Sequence, residues 1–402
     1  MKYTYEELIG KSVHTLRVVL REVGGVPGTA DKKQLIDGIL AIQGGEKPPA
    51  RSPRGRKPIE NLISLSSNAE PDLNVLEFND IPLGEKYNLS GVVEICNGKY
   101  GFLRGLNCAF SKKDSYILPA TISNFNLKHG DEIEVVCEKT RETSVLTVSQ
   151  VLSVNGFLAS KPFSREEFDC LSPRYPTQKI ELADGAQDVL KQIDLFCPIG
   201  KGQRVIITAD GDRFDGVIKK IASSISKNNS DITLSVLLSG VKPEEVTEYN
   251  DIENCRTTAL TGTGEDEYEE RKLDLFFSRL KRKAECGENV VAIINSLDSL
   301  VRYFAEKDNI DNLSGIKKVK NLFSKSGNYG KGSITVIGVV SDKNGELYTE
   351  LLEIATCEIA LIGCNERGDN KRVDIKKSYT VRDEYLLSEE EIKLADEIRN
   401  RG

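Results

Sequence analysis

Val205-Ile206-Ile207-Thr208 is a β-branched run with strand character, and it opens into Ala209-Asp210-Gly211-Asp212-Arg213-Phe214-Asp215-Gly216 ahead of a helical pattern. A strand, a loop and a helix in that order form the arrangement that cradles phosphates. Glycines let backbone N–H groups approach the anion, a lysine neutralises it, and a Ser or Thr hydroxyl holds magnesium. Here the lysine and Ser/Thr slots are missing, and Asp210, Asp212 and Asp215 would repel a triphosphate. Spacing alone equally allows a polar turn that never held phosphate. Two further parts of a hydrolytic site can be sought downstream. Ser235-Val236-Leu237-Leu238-Ser239-Gly240-Val241 runs to the place of a water-polarising acid and ends in neutral residues. Val290-Val291-Ala292-Ile293-Ile294-Asn295-Ser296 reaches the place of a magnesium-holding aspartate and presents Asn295, whose amide lacks the charge a divalent cation requires.

A second candidate site is aromatic. Asn97-Gly98-Lys99-Tyr100-Gly101-Phe102-Leu103-Arg104 sets two rings two residues apart, so in a strand both project from one face. Lys99 and Arg104 stand close by for phosphates, the glycines keep the backbone low enough for a flat base, and Tyr116 offers another platform. The same spacing also suits two rings in a barrel core, and the local pattern leaves both open.

These residues need elements to hold them. From Tyr5 to about Gln43, Leu8, Leu16, Val19, Leu20, Leu35, Ile36, Ile39 and Leu40 recur at helical spacing, broken by Gly24-Gly25 and Pro27-Gly28; this predicts a small helical module over residues 1–45. Residues 46–80 read as a polar, basic linker in which Lys47, Arg51, Arg54, Arg56 and Lys57 outnumber Glu46. Its Pro53–Pro58 segment suits an AT-rich minor groove or, more simply, a solvated tether. Over residues 81–155, short strands at 91–95, 100–104, 115–118, 132–136 and 144–148 predict a small five-stranded barrel of the OB type, cold-shock-like. Residues 156–402 alternate strands (205–208, 232–238, 289–294, 334–340, 358–362) with helices (214–226, 265–285, 296–307), which implies a mostly parallel sheet covered on both faces. The fold class expected is thus multidomain α+β.

Composition narrows the chemistry. A net charge of −7 on 402 residues confines any nucleic-acid site to a local patch. Nine cysteines without a C-x-x-C suit a reduced interior, and two histidines, His14 and His129, leave no zinc cluster or histidine-based triad. With no apolar leader and no long apolar run, a cytoplasmic protein without membrane contact is expected.

In this order the residues resemble the transcription termination factor Rho family, ring-shaped RNA-translocating ATPases of bacteria. The likeness rests on Tyr100-Gly101-Phe102-Leu103-Arg104, Phe125-Asn126-Leu127-Lys128-His129-Gly130-Asp131, Ile193-Asp194-Leu195 through Pro198-Ile199-Gly200-Lys201-Gly202-Gln203-Arg204, Pro243-Glu244-Glu245-Val246-Thr247 and Asp374-Ile375-Lys376-Lys377-Ser378. It implies a helical N-terminal module, an OB barrel and a RecA-like α/β domain, with the primary RNA site on the barrel at Lys99, Tyr100, Phe102, Arg104 and Tyr116. It also implies that the phosphate-loop Gly, Lys and Thr fall on Arg213, Phe214 and Asp215, the catalytic glutamate on Val241 and the metal aspartate on Asn295, with Arg367 near the family's trans-acting arginine. The channel loop is shortened between Tyr303 and Gly315, Glu353-Ile354-Ala355-Thr356-Cys357 replaces the R-loop, and the family's C-terminal helices are largely missing.

The resulting expectation is a termination-related, single-stranded-RNA-binding protein whose RecA-like domain has lost ATP hydrolysis, with an active Rho ring or further copies of itself as partners. Two alternatives stand beside it. One is a functional ATP-dependent helicase with a divergent loop, in which case ATP and magnesium are cofactors. The other is a DNA-associated regulator using the segment from Arg54 to Lys57.

Overall fold

The structure is a computed structural model, and it describes the chain except residues 1–3, 10–15, 17–18, 21–31, 44–83, 112, 140–144, 160–164, 184–188, 210–214, 261–266, 343, 364–371 and 402. The basic linker therefore lies outside the described residues. The chain divides into two compact units, Met1–Leu62 and Ile63–Gly402.

In the first unit, helices α1 (Tyr5–Ile9) and α2 (Lys32–Gln43) contribute to a small core. Leu8, Leu16, Val19, Leu20, Leu35, Ile36 and Ile39 bury their side chains together, with Leu40 packed against them. These are the residues whose helical spacing predicted the module.

The second unit opens with a barrel of strands β1 (Lys86–Cys96), β2 (Tyr100–Arg104), β3 (Ser115–Ile117), β4 (Glu132–Glu138) and β5 (Thr147–Val154), extended by β6 (Phe157–Leu158). Strand order is β3-β2-β1-β4-β5-β6, and a parallel bridge between Tyr116 and Thr147 closes β3 onto β5. Alternate residues fill the interior: Val93, Leu103, Ile117, Ile133, Val135, Cys137, Val148, Val151 and Val154. Asn97 and Gly98, with φ of 51° and 63°, turn β1 into β2. The fifth strand runs over Thr147–Val154, not the expected 144–148. Two register shifts against β4, at Glu134/Val135 and Val136/Cys137, break the two-residue alternation and place Ser149 and Gln150 side by side on the outside. Helix α3 (Pro119–Asn124) starts on a proline at its first turn.

Beyond the barrel lies a RecA-like α/β layer. Helices α4 (Val189–Phe196), α5 (Asp215–Asn228), α6 (Pro243–Asn250), α7 (Glu267–Glu285), α8 (Leu297–Asp308), α9 (Asn312–Phe323), α10 (Glu346–Leu352) and α11 (Glu389–Arg401) alternate with strands β7 (Arg204–Ala209), β8 (Ile232–Ser239), β9 (Cys255–Leu260), β10 (Asn289–Asn295), β11 (Gly327–Asn328), β12 (Ser333–Val340), β13 (Cys357–Ile362), β14 (Arg372–Val373) and β15 (Tyr379–Thr380). The sheet order is β14-β13-β7-β12-β10-β8-β9, parallel from β13 to β9, with β11, β14 and β15 antiparallel at the margins. Its strands are apolar runs because both faces are covered. Val205, Ile207, Val291, Ile293, Ile337 and Val339 face one core with α4 and α5. Ile206, Val290, Ala292, Ile294 and Val336 face the other with α7, α8 and α9. Val92 and Cys108 of the barrel region join this second core, so the barrel packs on the α7 side.

Two stretches differ from what the family resemblance implied. The segment between Tyr303 and Gly315 is a helical hairpin: Asn309 ends α8 in the left-handed conformation, and Asp311 caps α9 by accepting the Ser314 N–H. Gly315 lets the helices approach, since a Cβ there would meet Val301 O at 2.9 Å. At the C-terminal end, where the family's helices were expected to be largely missing, α11 returns to the first core through Ala395, and Arg399 donates to Phe196 O.

Candidate nucleic-acid interface

Strand β2 alternates strictly: Gly101 and Leu103 point into the barrel, while Tyr100 and Phe102 lie half-buried on its outer side. Phe102 pairs in register with Tyr116 of β3, which brings the third ring alongside. The ring centroids form a near-equilateral triangle, 6.0 Å from Tyr100 to Phe102 and 5.8 Å from Tyr116 to each. Tyr100 and Tyr116 are tilted by 31°, and Phe102 meets both nearly edge-on. Three π-faces at the surface make a platform on which unpaired bases can stack. Lys99 is exposed at the start of this strand.

Arg104 has a different position from its neighbours. It is only 3% exposed, its Nε and Nη2 reach Glu94 Oε2 at 2.6 and 2.5 Å, and its Nη1 reaches Asp114 Oδ2 at 2.5 Å. Its guanidinium carbon lies 4.6 Å from the Phe102 centroid and 4.2 Å from that of Phe110. The cation is therefore held by two carboxylates and two rings, and it fixes Phe102 from beneath. Burial pushes the Asp114 carboxyl up to about 6 against the opposing pull of Arg104. Glu94 is shared, since Arg271 on α7 donates to its other oxygen at 2.6 Å and lies over Phe110 and Tyr268. Sequence reasoning missed Glu94, Asp114, Phe110, Tyr268 and Arg271. The one available signal was Glu94 itself, a lone acid inside Gly91-Val92-Val93-Glu94-Ile95.

The candidate phosphate site lies at the carboxyl edge of the parallel sheet, the usual ligand edge of such folds. Strand β7 ends at Ala209, β8 at Ser239 and β10 at Asn295, with Asn295 beside Leu238 in register and β12 between β7 and β10. Arg213, Phe214 and Arg367 lie outside the described residues, and Asp215 begins α5. Val241 packs its side chain on the first core. Asn295 is buried, and the Ser239 hydroxyl is buried without a partner among the described residues. Ser296 caps α8, and Asp298, in its first turn, accepts the Ser341 N–H at 2.7 Å. A magnesium-bound nucleotide needs charged oxygen ligands at these strand ends, and an amide, a serine and a packed valine do not fit that requirement. Among the described residues no cluster of three His, Cys, Asp or Glu could hold a metal, and no helix is long and apolar enough to cross a membrane.

Comparison with known proteins adds independent findings. The family described as "Rho termination factor, RNA-binding domain" matches residues 89–159, the barrel that carries the three rings. Transcription termination factor Rho 1 of Ehrlichia chaffeensis is 32% identical over 335 residues, 74% of this chain and 76% of that protein. Transcription termination factor Rho of Thermotoga maritima is 30% identical over 326 residues, covering 75% and 76%. Among solved structures, the assembled ATPase EscN from the enteropathogenic E. coli type III secretion system overlaps 80% of this chain and 84% of its own, with a TM-score of 0.49 and 16% identity. At 30–32% identity to these Rho proteins over about three quarters of its length, the chain belongs to the transcription termination factor Rho family.

Proposed function

We propose that this chain binds single-stranded RNA on the outer face of its barrel, and that its RecA-like domain serves as a scaffold without hydrolysing ATP. It then influences termination passively, by joining or competing with an active Rho ring in the cytoplasm. The observation that carries this reading is the triangle of Tyr100, Phe102 and Tyr116 inside the segment that matches the Rho RNA-binding domain. In it the three rings stack bases, exposed Lys99 meets a phosphate, and Arg104 positions Phe102 from within. The non-hydrolytic half is supported by Val241 and Asn295, which bring no charge where phosphoryl transfer needs a base and a metal anchor.

The test is Tyr100→Ala with Phe102→Ala, titrated against short pyrimidine-rich RNA. Each stacked base contributes about 1–3 kcal/mol, so affinity should fall at least tenfold while the thermal melt stays close to wild type. Equal affinity of the two proteins would remove the rings from the RNA site.

A further inference from the structure

We propose that His129 is a positioning residue for the ring platform, an imidazole that completes the hydrogen-bond ladder along β1 only while it is neutral, so that RNA binding on the barrel weakens on acidification. The inference rests on the RNA-binding reading above and adds to it a residue and a pH dependence.

Strand β1 pairs with β4 as far as Val92 opposite Glu132, where β4 begins. Beyond that point the turn ahead of β4 carries the ladder on: the Val93 N–H donates to Asp131 O at 2.7 Å, and the Gly130 N–H donates to Val93 O at 2.9 Å. The next donor in step is the Ile95 N–H, and its acceptor is a side chain, His129 Nδ1 at 3.1 Å. A backbone N–H can only donate, so Nδ1 carries the lone pair and the proton of the neutral ring sits on Nε2. Nε2 lies 3.2 Å from Asp274 Oδ2 of α7, within ion-pair reach but without hydrogen-bond geometry.

Ile95 is the strand partner of Gly101, and its neighbours Glu94 and Cys96 oppose Phe102 and Tyr100. The imidazole thus holds β1 at the residue between the partners of two platform rings. Protonation places an N–H where the Ile95 N–H needs a lone pair, and two donors cannot satisfy each other. The imidazolium gains the Asp274 carboxylate instead. The other charges around it are engaged elsewhere. On β1, Glu94 holds Arg104 and Arg271, and the Cys96 thiol lies 3.9 Å from Arg271. On the turn, Asp131 is bound by Arg165 and Lys128 by Glu167, while Asp274 has Lys281 two turns further along α7. Acid therefore trades a bond to the platform strand for a contact to α7.

The experiment titrates wild type, His129→Asn and His129→Ala with short pyrimidine-rich RNA between about pH 7.5 and 5.5, either side of the ordinary histidine range. Asparagine offers Oδ1 in the place of Nδ1 and never ionises, whereas alanine lacks the acceptor at every pH. The Asp114 carboxyl, pushed up to about 6 by burial, titrates in all three proteins, so the readout is the ratio of affinities at each pH. His129→Asn should match wild type at the upper pH and bind about two- to fivefold more tightly than wild type at the lower, the effect of one hydrogen bond. His129→Ala should be weaker than wild type by that factor at the upper pH and equal to it at the lower. Either variant alone decides, should the other fail to fold. A histidine with a merely structural role would leave both ratios independent of pH, and that result overturns the proposal. If short RNA fails to bind all three proteins at the upper pH, the barrel reading has failed, and hydrogen exchange of the Ile95 amide, compared between wild type and His129→Asn at the same pH, still reads the bond. Faster exchange in wild type at the lower pH alone supports the titrating contact, and equal exchange at both overturns it.

Discussion

Arg104 ties the aromatic platform to the interior, and its surroundings make two testable demands. Replacing it with alanine leaves Asp114 with a nearly buried, unpaired charge and removes the cation beneath Phe102. Breaking such a pair from one side costs about 3–5 kcal/mol, so Arg104→Ala should lower the unfolding free energy read from a urea titration by that amount, and Arg104→Lys should recover little because an ammonium cannot bridge Glu94 and Asp114 as a planar fork does. Asp114 adds a pH dependence of unusual sign. Its carboxyl titrates near 6 in the fold and near 3.8 in the unfolded chain, so between those values the folded protein holds the extra proton. Stability from this group is therefore greatest below about pH 4 and declines as pH rises through 6, by roughly 2–3 kcal/mol. In urea titrations, Asp114→Asn should gain on wild type as pH rises from 4 to 7. A variant that instead loses ground over that range would mean that the ion pair dominates burial.

At the scale of elements, α7 joins the two halves of the larger unit. Along its barrel side, Arg271 meets Glu94, Asp274 meets His129, Arg279 Nη2 reaches Glu132 at 2.7 Å, and Glu285 receives Arg165, which also binds Asp131. Gly130 makes the closest approach: at a φ of +90°, a Cβ there would lie 2.5 Å from the Ser278 carbonyl carbon and 2.6 Å from Arg279 N. Gly130→Ala combines backbone strain of about 1–3 kcal/mol with a backbone clash that no rotamer relieves. It should lower the melting temperature by several degrees and admit protease between barrel and α/β layer; a melt within a degree of wild type would show that the junction yields. Little of this junction was legible beforehand. The apolar spacing of α7 predicted a helix over 265–285, close to the observed Glu267–Glu285, and β2 fell where its glycines and rings indicated. But Gly130 and Ser278 are far apart in sequence, and no local period reports such a contact. Elements with weak periods were missed for related reasons: β9, at the end of the main strand order, mixes Arg256 and two threonines, and α9 sits where the family resemblance implied a loop.

For the whole molecule, the proposed reading sets a RecA-like sheet against a ligand edge where Val241 and Asn295 carry no charge. Both hydrophobic cores are filled and the strand order brings β7, β8 and β10 to one edge, so the scaffold of the α/β layer is complete. Removing a single preorganised donor from a transition state costs about 10²–10³ in rate, and on the proposed non-hydrolytic reading the substitutions at Phe214, Asn295 and Val241 act on the same step. Restoring one of them should therefore restore nothing measurable. We expect purified protein, with or without long RNA and magnesium, to release phosphate from ATP only at the rate of a mock preparation, and Asn295→Asp to leave that rate unchanged. Asn295 is buried beside Leu238 in register, so the new carboxylate would also enter a desolvated place and cost stability, visible as a lower melt. RNA-stimulated phosphate release that co-elutes with the protein and is abolished by Asn295→Ala would mean that the edge works with a different donor set, with Asp298 the first residue to replace next.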